Sequence, residues 1–423
     1  MFTLDTIMQA VKLMESSQSE KALELLENYL PKAEEEERYT IAELYMQWGM
    51  LQEASEVFRE LLERYPGESE IKVKLADIYI EMEADEQAIN LLNEIGEDDP
   101  AFVQALIQLA DLYQAQGLFE VAEQKLLLAK QQEPNEPIID FALGELLFSI
   151  GEYLRAITYY ERLLGKTQEV ANISIHDRLA EAHAASGQYE EALEFYQQTE
   201  SENPDTLFRY GFTAKQAGRH DIAIKAWEQV IELDAYYHSV YYQLAEVYDE
   251  EKMPKEAYET AEKGLEIDEF NKELYFLAGS LAHQLGRDER SEKLVREALA
   301  LDPDYKEAVL FLIELFKTAE NFSAIADLLT EIKNTGAEDP LYEWELAKAY
   351  NEMESYDLAL NHYNEAYNGL KDDSDFMKEY GYFLLEEGRP REALRIFEAY
   401  LKQQPEDTET EEFLTRLRQE NEA

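Results

Sequence analysis

The side chains that usually carry chemistry are sparse or unplaced in this chain. It has no cysteine, which removes disulfides, thiolate nucleophiles and zinc–thiolate sites. His176 and His183 stand seven residues apart, close enough in phase to share one helical face and to be weighed as a metal pair. The other reading is a packed core histidine, and that is the expectation: no metal ligand is assigned. Trp48, Trp227 and Trp344 are read as packing or groove residues, not as a cofactor box. No His-Glu-x-x-His, Gly-x-Gly-x-x-Gly or Gly-x-x-x-x-Gly-Lys-Ser/Thr run occurs. Carboxylates number 92 among 423 residues, so close pairs arise from composition alone. Without a pocket around them they say nothing about acid–base work. No catalytic residue, metal or cofactor is expected, and the chain is read as non-enzymatic.

What remains is recognition. The 92 acids face only 38 lysines and arginines, a net charge of −54. Phosphate backbones demand basic side chains, so nucleic acid is excluded as a partner. Anionic membrane surfaces are disfavoured by the same repulsion. Such a surface attracts basic partners, although an acidic surface also serves simply to keep a long chain dissolved. Hydrophobic residues make up 45%, and Gly and Pro are few (17 and 11), a composition that reads as folded and helical. The N-terminal segment is amphipathic, with Ile7, Val11 and Met14 on one stripe, and does not read as a secretory signal. No stretch approaches the ~18 unbroken apolar residues of a spanning helix. The expected compartment is the cytoplasm.

The elements that would position a recognition surface come from a repeat. Gly49, Gly117, Gly151, Gly187, Gly218, Gly286 and Gly388 each precede an Ala-containing apolar pattern, and most of their separations are 34 residues or multiples of it. In the gaps the same point carries Glu83, Lys252, Glu320 or Glu354. Each unit reads as two helices with apolar residues at helical spacing. Small residues such as Ala42, Ala76, Ala110, Gly144 and Gly211 let the first helix approach its neighbours, and Ala54, Ala88, Ala122 and Ala156 do so for the second. The glycines end first helices, and Pro66, Pro100, Pro134, Pro204, Pro303 and Pro405 are expected to end second helices.

Ala42, Tyr45, Gly49, Ala54, Phe58 and Pro66 in one segment, and Leu109, Ala110, Tyr113, Gly117, Ala122, Ala129 and Pro134 in another, give the pattern by which the chain resembles the tetratricopeptide repeat family. The resemblance covers nearly the whole chain. It implies an all-α, right-handed superhelical solenoid of about twelve helix-turn-helix repeats, beginning near residues 3, 35, 69, 103, 137, 173, 204, 238, 272, 306, 340 and 374. Residues 1–34 read as a degenerate N-terminal capping repeat with Ser17 at the glycine point, and 35–172 as regular repeats. Residues 173–405 are repeats after an irregular junction, and 406–423 form a capping helix facing the last repeat through Phe413, Leu414 and Leu417. The uneven spacing across 164–206, and the segment 333–340, are candidate bends, with drift in connector length as the alternative.

The resemblance also implies a groove lined by the first helices, with positions five, nine, twelve and thirteen of each repeat pointing into it. Position nine reads Glu43, Asp77, Asp111, Glu145, Glu181, Phe212, Glu246, Ser280, Glu314, Lys348 and Tyr382, seven acids in eleven against 92 in 423 overall. That enrichment exceeds what composition alone provides. Beside it run Tyr39, Val73, Ile107 and Phe141 at position five, and Met46, Ile80 and Phe148 at position twelve. Some of these apolar side chains could instead be covered by the adjacent repeat. The later repeats mix Arg209, Lys215, Lys317, Lys348 and Lys378 with Tyr242, Phe276 and Trp344. The expected function is a scaffold or adaptor that holds a basic, partly apolar, amphipathic segment of a partner protein, mainly with the N-terminal repeats. A receptor for a short regulatory peptide, and an assembly factor or co-chaperone, are the alternatives.

Overall fold

The computed structural model describes residues 3–199 and 201–422, of which all but a few short segments are helical. Twelve helical hairpins follow one another among the described residues, and a last helix, Thr408–Glu422, closes the chain. First helices begin at Thr3, Glu35, Ser69, Phe102, Pro137, Ile175, Pro204, His238, Lys272, Lys306, Pro340 and Ser374, within two residues of the repeat starts expected above. The fold is an all-α repeat solenoid. It divides into two compact units, Met1–Ser201 and Glu202–Ala423. Within each unit a helix packs on its hairpin partner and on the hairpin that follows.

The second helix of repeat two, Leu51–Arg64, shows why these segments fold so. Ala54, Val57, Phe58 and Leu61 recur at helical spacing and are all buried, while Glu53, Glu56, Glu60 and Glu63 avoid that stripe. Burying such a face against two neighbours, not isolated helix propensity, is what stabilises a helix this short. The small residues named above are fully or nearly fully buried throughout.

Every first helix ends alike. Twelve residues at the repeat-glycine point have positive φ, among them Ser17, Glu83, Lys252, Glu320 and Glu354 alongside the seven glycines. In each case the next N–H returns to a carbonyl five residues back, as Met50 does to Tyr45 and Ala84 to Tyr79, the bond of a Schellman cap. A left-handed backbone costs an L-residue about 1–2 kcal/mol, partly offset in glycine by its larger unfolded-state entropy. Glu83→Gly, Lys252→Gly, Glu320→Gly and Glu354→Gly should therefore each raise stability by roughly 0.5–1 kcal/mol, and the three in the second unit should nearly add. Urea midpoints measure this; a set of glycine variants no more stable than the parent would refute it.

Three features depart from the sequence-based expectation. Pro204 opens the helix Pro204–Gln216 instead of ending one, because the first helical position needs no amide hydrogen. Pro100 lies in a turn several residues beyond the short helix Asp85–Asn93. Finally, the connector after repeat five holds a two-stranded antiparallel hairpin, with Val170 opposite Ile173 and Glu169 opposite Ser174. Its turn residues Ala171 and Asn172 both have positive φ, as a tight two-residue hairpin requires. Val170 and Ile173 pack against a core containing Leu147, Tyr160 and Leu179, so this part of the uneven stretch is a packed insertion.

At the other end, Leu414 and Leu417 of the last helix are buried, and Phe413 packs on the core of the final hairpin with its ring 5.8 Å from Phe397. No helix among the described residues is long and apolar enough to cross a membrane.

Candidate protein-interaction groove

Cross-repeat contacts establish which faces of the first helices lie side by side. In the first unit, Tyr39 of Glu35–Gln47 donates its hydroxyl to Glu70 of the next first helix at 2.9 Å. Lys74 of Ser69–Glu81 lies 3.3 Å from Glu43. Gln108 of Phe102–Ala115 donates to Asp77. Arg178 of Ile175–Ala185 lies 3.0 Å from Glu145, and 2.7 Å from Glu181 on its own helix. These contacts put Glu43 and Asp77 on one face across repeats two to four, and Glu145 and Glu181 on one face across repeats five and six.

The row is not uniformly acidic. Glu43 is paired with Lys74, and Glu145 and Glu181 share Arg178. Glu145 also accepts from the Tyr160 hydroxyl at 2.7 Å. Burial, helped by that carboxylate, pushes the Tyr160 hydroxyl well above its ordinary pKa, so it stays a donor. Asp77 is half-buried, and desolvation raises its carboxyl against the opposing pull of Lys74 and Gln108. Asp111 is exposed at its surface, yet desolvation by the protein around it raises its carboxyl too. It has no ion pair or hydrogen bond among the described residues.

The apolar row separates into two kinds. Tyr39, Met46, Ile80, Ile107 and Phe148 are half-buried, each packed on a repeat core with one side open. Val73 and Phe141 are instead core residues, 4% and 6% exposed, and offer no surface to a partner. Val73 is too short to emerge between adjacent helices. Phe141 lies over Tyr160, ring centroids 6.2 Å apart. Beside Tyr39 a shallow cleft of about 470 Å³ is lined by Glu35, Glu36, Glu68 and Glu70 together with Tyr65 and Ile71.

In the second unit four lysines read as groove residues, Lys215, Lys317, Lys348 and Lys378, pair internally. Lys215 pairs with Glu246. Lys317 and Lys348 both reach the buried Glu345, at 2.8 and 3.1 Å, and Lys348 also stands 3.7 Å over the Trp344 ring. Lys378 lies 2.8 Å from Asp407. Phe212 and Tyr382 are the exposed aromatics of the position-nine row there. Among the described residues, these groove-side lysines thus carry their own carboxylate partners.

His183 is buried, stacked on Phe195 at 5.3 Å, with Nδ1 2.9 Å from Gln188 Oε1. His176 packs against the same ring at 6.1 Å, so the two histidines flank an aromatic side chain and share no vacancy between them. Glu343, His362 and Glu365 converge closely enough to hold a cation, but Lys333 already lies 2.7 Å from Glu343 and 2.8 Å from Glu365. Its ammonium supplies the charge the cluster needs.

Comparison with known proteins agrees with this architecture. Models of YpiA-like tetratricopeptide repeats match residues 114–168 and, for the C-terminal repeats, 340–407. General tetratricopeptide models match 175–207, 205–234, 238–271 and 272–305, and an ARM-repeat model of tetratricopeptide repeat protein 21 matches 3–116. Among solved structures, YrrB, described as a TPR protein with an unusual peptide-binding site, is 19% identical with a TM-score of 0.38, covering 43% of this chain and 95% of that one. Cut9 in the APC/C hetero-tetramer Cut9–Hcn1 is 12% identical with a TM-score of 0.33, covering 96% of this chain and 95% of that one. A curated relative, the TPR repeat-containing protein YpiA of Bacillus subtilis (strain 168), is 41% identical over 416 residues, 98% of each chain. With the twelve capped hairpins, that similarity places the chain in the family of YpiA-like tetratricopeptide-repeat proteins, a class of protein-interaction modules.

Proposed function

We propose that the chain is a non-catalytic cytoplasmic scaffold or adaptor, and that the first-helix face of its first unit holds a basic, partly apolar segment of a partner protein. The observation that carries this reading is the carboxylate row flanked by half-open apolar side chains, with Asp77 and Asp111 desolvated and Met46, Ile80, Ile107 and Phe148 beside them. Acids bordered by apolar surface suit an amphipathic helix or extended segment whose basic and apolar residues alternate in kind. The surplus of acid over the whole chain adds long-range steering of such a partner.

Asp77→Lys with Asp111→Lys reverses the charge at the centre of the row while leaving Glu43 and Glu145 with their internal cations. Partners captured by the parent protein at low salt should be lost by at least about tenfold with this variant, and should weaken in the parent at moderate salt. Retention of the same partners by the reversed variant, or a partner set that is acidic, would remove the groove reading.

A further inference from the structure

The cleft beside Tyr39 is built by repeats two and three together, and its floor and rim differ in kind. The first helix of repeat two, Glu35–Gln47, lends Tyr39 with Glu35 and Glu36. The second helix, Leu51–Arg64, lends Leu61, and Tyr65 follows it. Repeat three adds Glu70 and Ile71 from Ser69–Glu81, with Glu68 just before that helix. Leu61 and Ile71 are 3% and 7% exposed and make an apolar floor, whereas Tyr65 is 39% exposed. Both tyrosines are held in place. Tyr39 donates to Glu70 at 2.9 Å and its ring meets Phe58 edge-on at 5.4 Å, while the Tyr65 hydroxyl donates to Glu35. These bonds tie separate helices together, so the cleft is set by the fold and an occupant has little left to order.

The charge around this floor decides what can lie on it. Four carboxylates stand on the rim of about 470 Å³ of open space. Among the described residues, Arg64 is the one cation within ion-pair distance of any of them, 3.9 Å from Glu35, and both of those side chains are half exposed. Acids are favoured in the first turn of a helix, which accounts for Glu35, Glu36 and Glu70 taken singly. It does not account for their standing around an apolar floor between two tyrosines. No three of the four bring carboxylate oxygens within 4.8 Å of one another, so the negative charge is dispersed and does not converge on a metal ion. A dispersed negative rim over an apolar floor matches a side chain with an aliphatic stem and a cationic end. The stem lies along Leu61, Ile71 and the tyrosine rings, and the charge stays among the carboxylates.

We infer that the cleft between repeats two and three takes one long basic side chain, lysine or arginine, of the partner segment. This rests on the groove reading above and sharpens it: the segment is anchored beside Tyr39 by that side chain, and the residues that follow it run along the face toward Met46 and Ile80.

The test is a selection from a displayed library of random linear peptides on the full-length parent protein, followed by affinity measurements on a variant combining Glu36→Gln with Glu68→Gln. Both carboxylates are exposed, so their loss leaves the core intact. Selected peptides should carry a lysine or arginine beside apolar residues and bind the double variant about tenfold more weakly than the parent. At one basic position of the peptide, norleucine keeps an aliphatic stem without the charge; it should cost about tenfold on the parent and about threefold or less on the double variant. Alanine at that position should cost roughly a further tenfold on both proteins, because the stem then leaves the floor. Peptides that are lost with Asp77→Lys and Asp111→Lys, yet bind the Glu36→Gln and Glu68→Gln protein as tightly as the parent, overturn the cleft and leave the groove reading standing. Alanine no more costly than norleucine also overturns the cleft, since no stem then lies on Leu61 and Ile71. Selected peptides without basic residues overturn both.

Discussion

Asp140→Ala should cost the first unit about 3 kcal/mol, nearer the strong end of single substitutions than the middle. Asp140 is fully buried in the helix Pro137–Ser149. Its carboxylate lies 2.7 Å from Lys130, 3.7 Å from Arg162 and 4.0 Å from Lys166. These cations come from the preceding second helix and from the segment leading into the β-hairpin, so one carboxylate ties three stretches of chain together. Removing it leaves three like charges converging on an empty site. Arg162 and Lys166 are nearly half exposed and can turn to water, whereas Lys130 is only 18% exposed and cannot do so freely. The loss is therefore dominated by Lys130. Combining Asp140→Leu with Lys130→Met removes both buried members and should recover most of the stability, because well-packed apolar replacements for a buried ion pair are often neutral. Urea denaturation of the two single variants and the double measures the coupling. Hydrogen exchange should also quicken across residues 162–175 in Asp140→Ala. A cost below about 1 kcal/mol, or no coupling with Lys130, would show that the pair does not hold this junction.

Asp140 marks where sequence legibility ends. The repeat period located Ser17, Glu83, Lys252, Glu320 and Glu354 as equivalents of glycine, and all five have the left-handed backbone that equivalence demands. Period and backbone geometry are local properties, and they survive substitution of the residue itself. Burial of a charge is not local. The apolar run around Asp140, with Ile138, Ile139, Phe141 and Leu143, hints at burial, but the cations that satisfy it lie 10, 22 and 26 residues further along or back and no local pattern names them. Depth was similarly hidden. Position in the repeat assigned Val73 and Phe141 to the groove side, but whether a side chain on that side emerges depends on its length and on the ring beneath it. The compensation of the acid row was legible in principle. Position six reads Lys74, Gln108, Ala142 and Arg178, and only a reading confined to positions five, nine and twelve passes over it. The β-hairpin had a weaker signal: Val170 and Ile173 flank two residues, Ala171 and Asn172, of which only Asn favours the left-handed region.

Gly211→Val should destabilise the second unit by about 3 kcal/mol, and Gly211→Ala by roughly half of that. A Cβ at Gly211 would sit 2.4 Å from Trp227 Nε1 and 2.7 Å from Cδ1 and Cε2 of the same ring. Trp227 is fully buried and its Nε1 donates to the Phe208 carbonyl at 3.1 Å, so the ring cannot withdraw without giving up a hydrogen bond. The same relation recurs through the chain at a separation of sixteen residues. Gly144 faces Tyr160, Gly279 faces Val295 and Gly381 faces Phe397, each with a virtual Cβ at 2.4–2.7 Å. A large side chain on the second helix is thus matched by the absence of one on the first. Helix propensity argues the other way, since Ala is favoured over Gly by about 1 kcal/mol in a helix interior. The two effects can be separated by changing the partner. In a Trp227→Leu background the overlap is relieved, and Gly211→Ala should become neutral or stabilising because only the propensity term remains. Urea midpoints of the four proteins in this cycle decide the matter. If Gly211→Ala stabilises the parent protein as much as it does the Trp227→Leu variant, the close approach of helix to ring is not what requires glycine there.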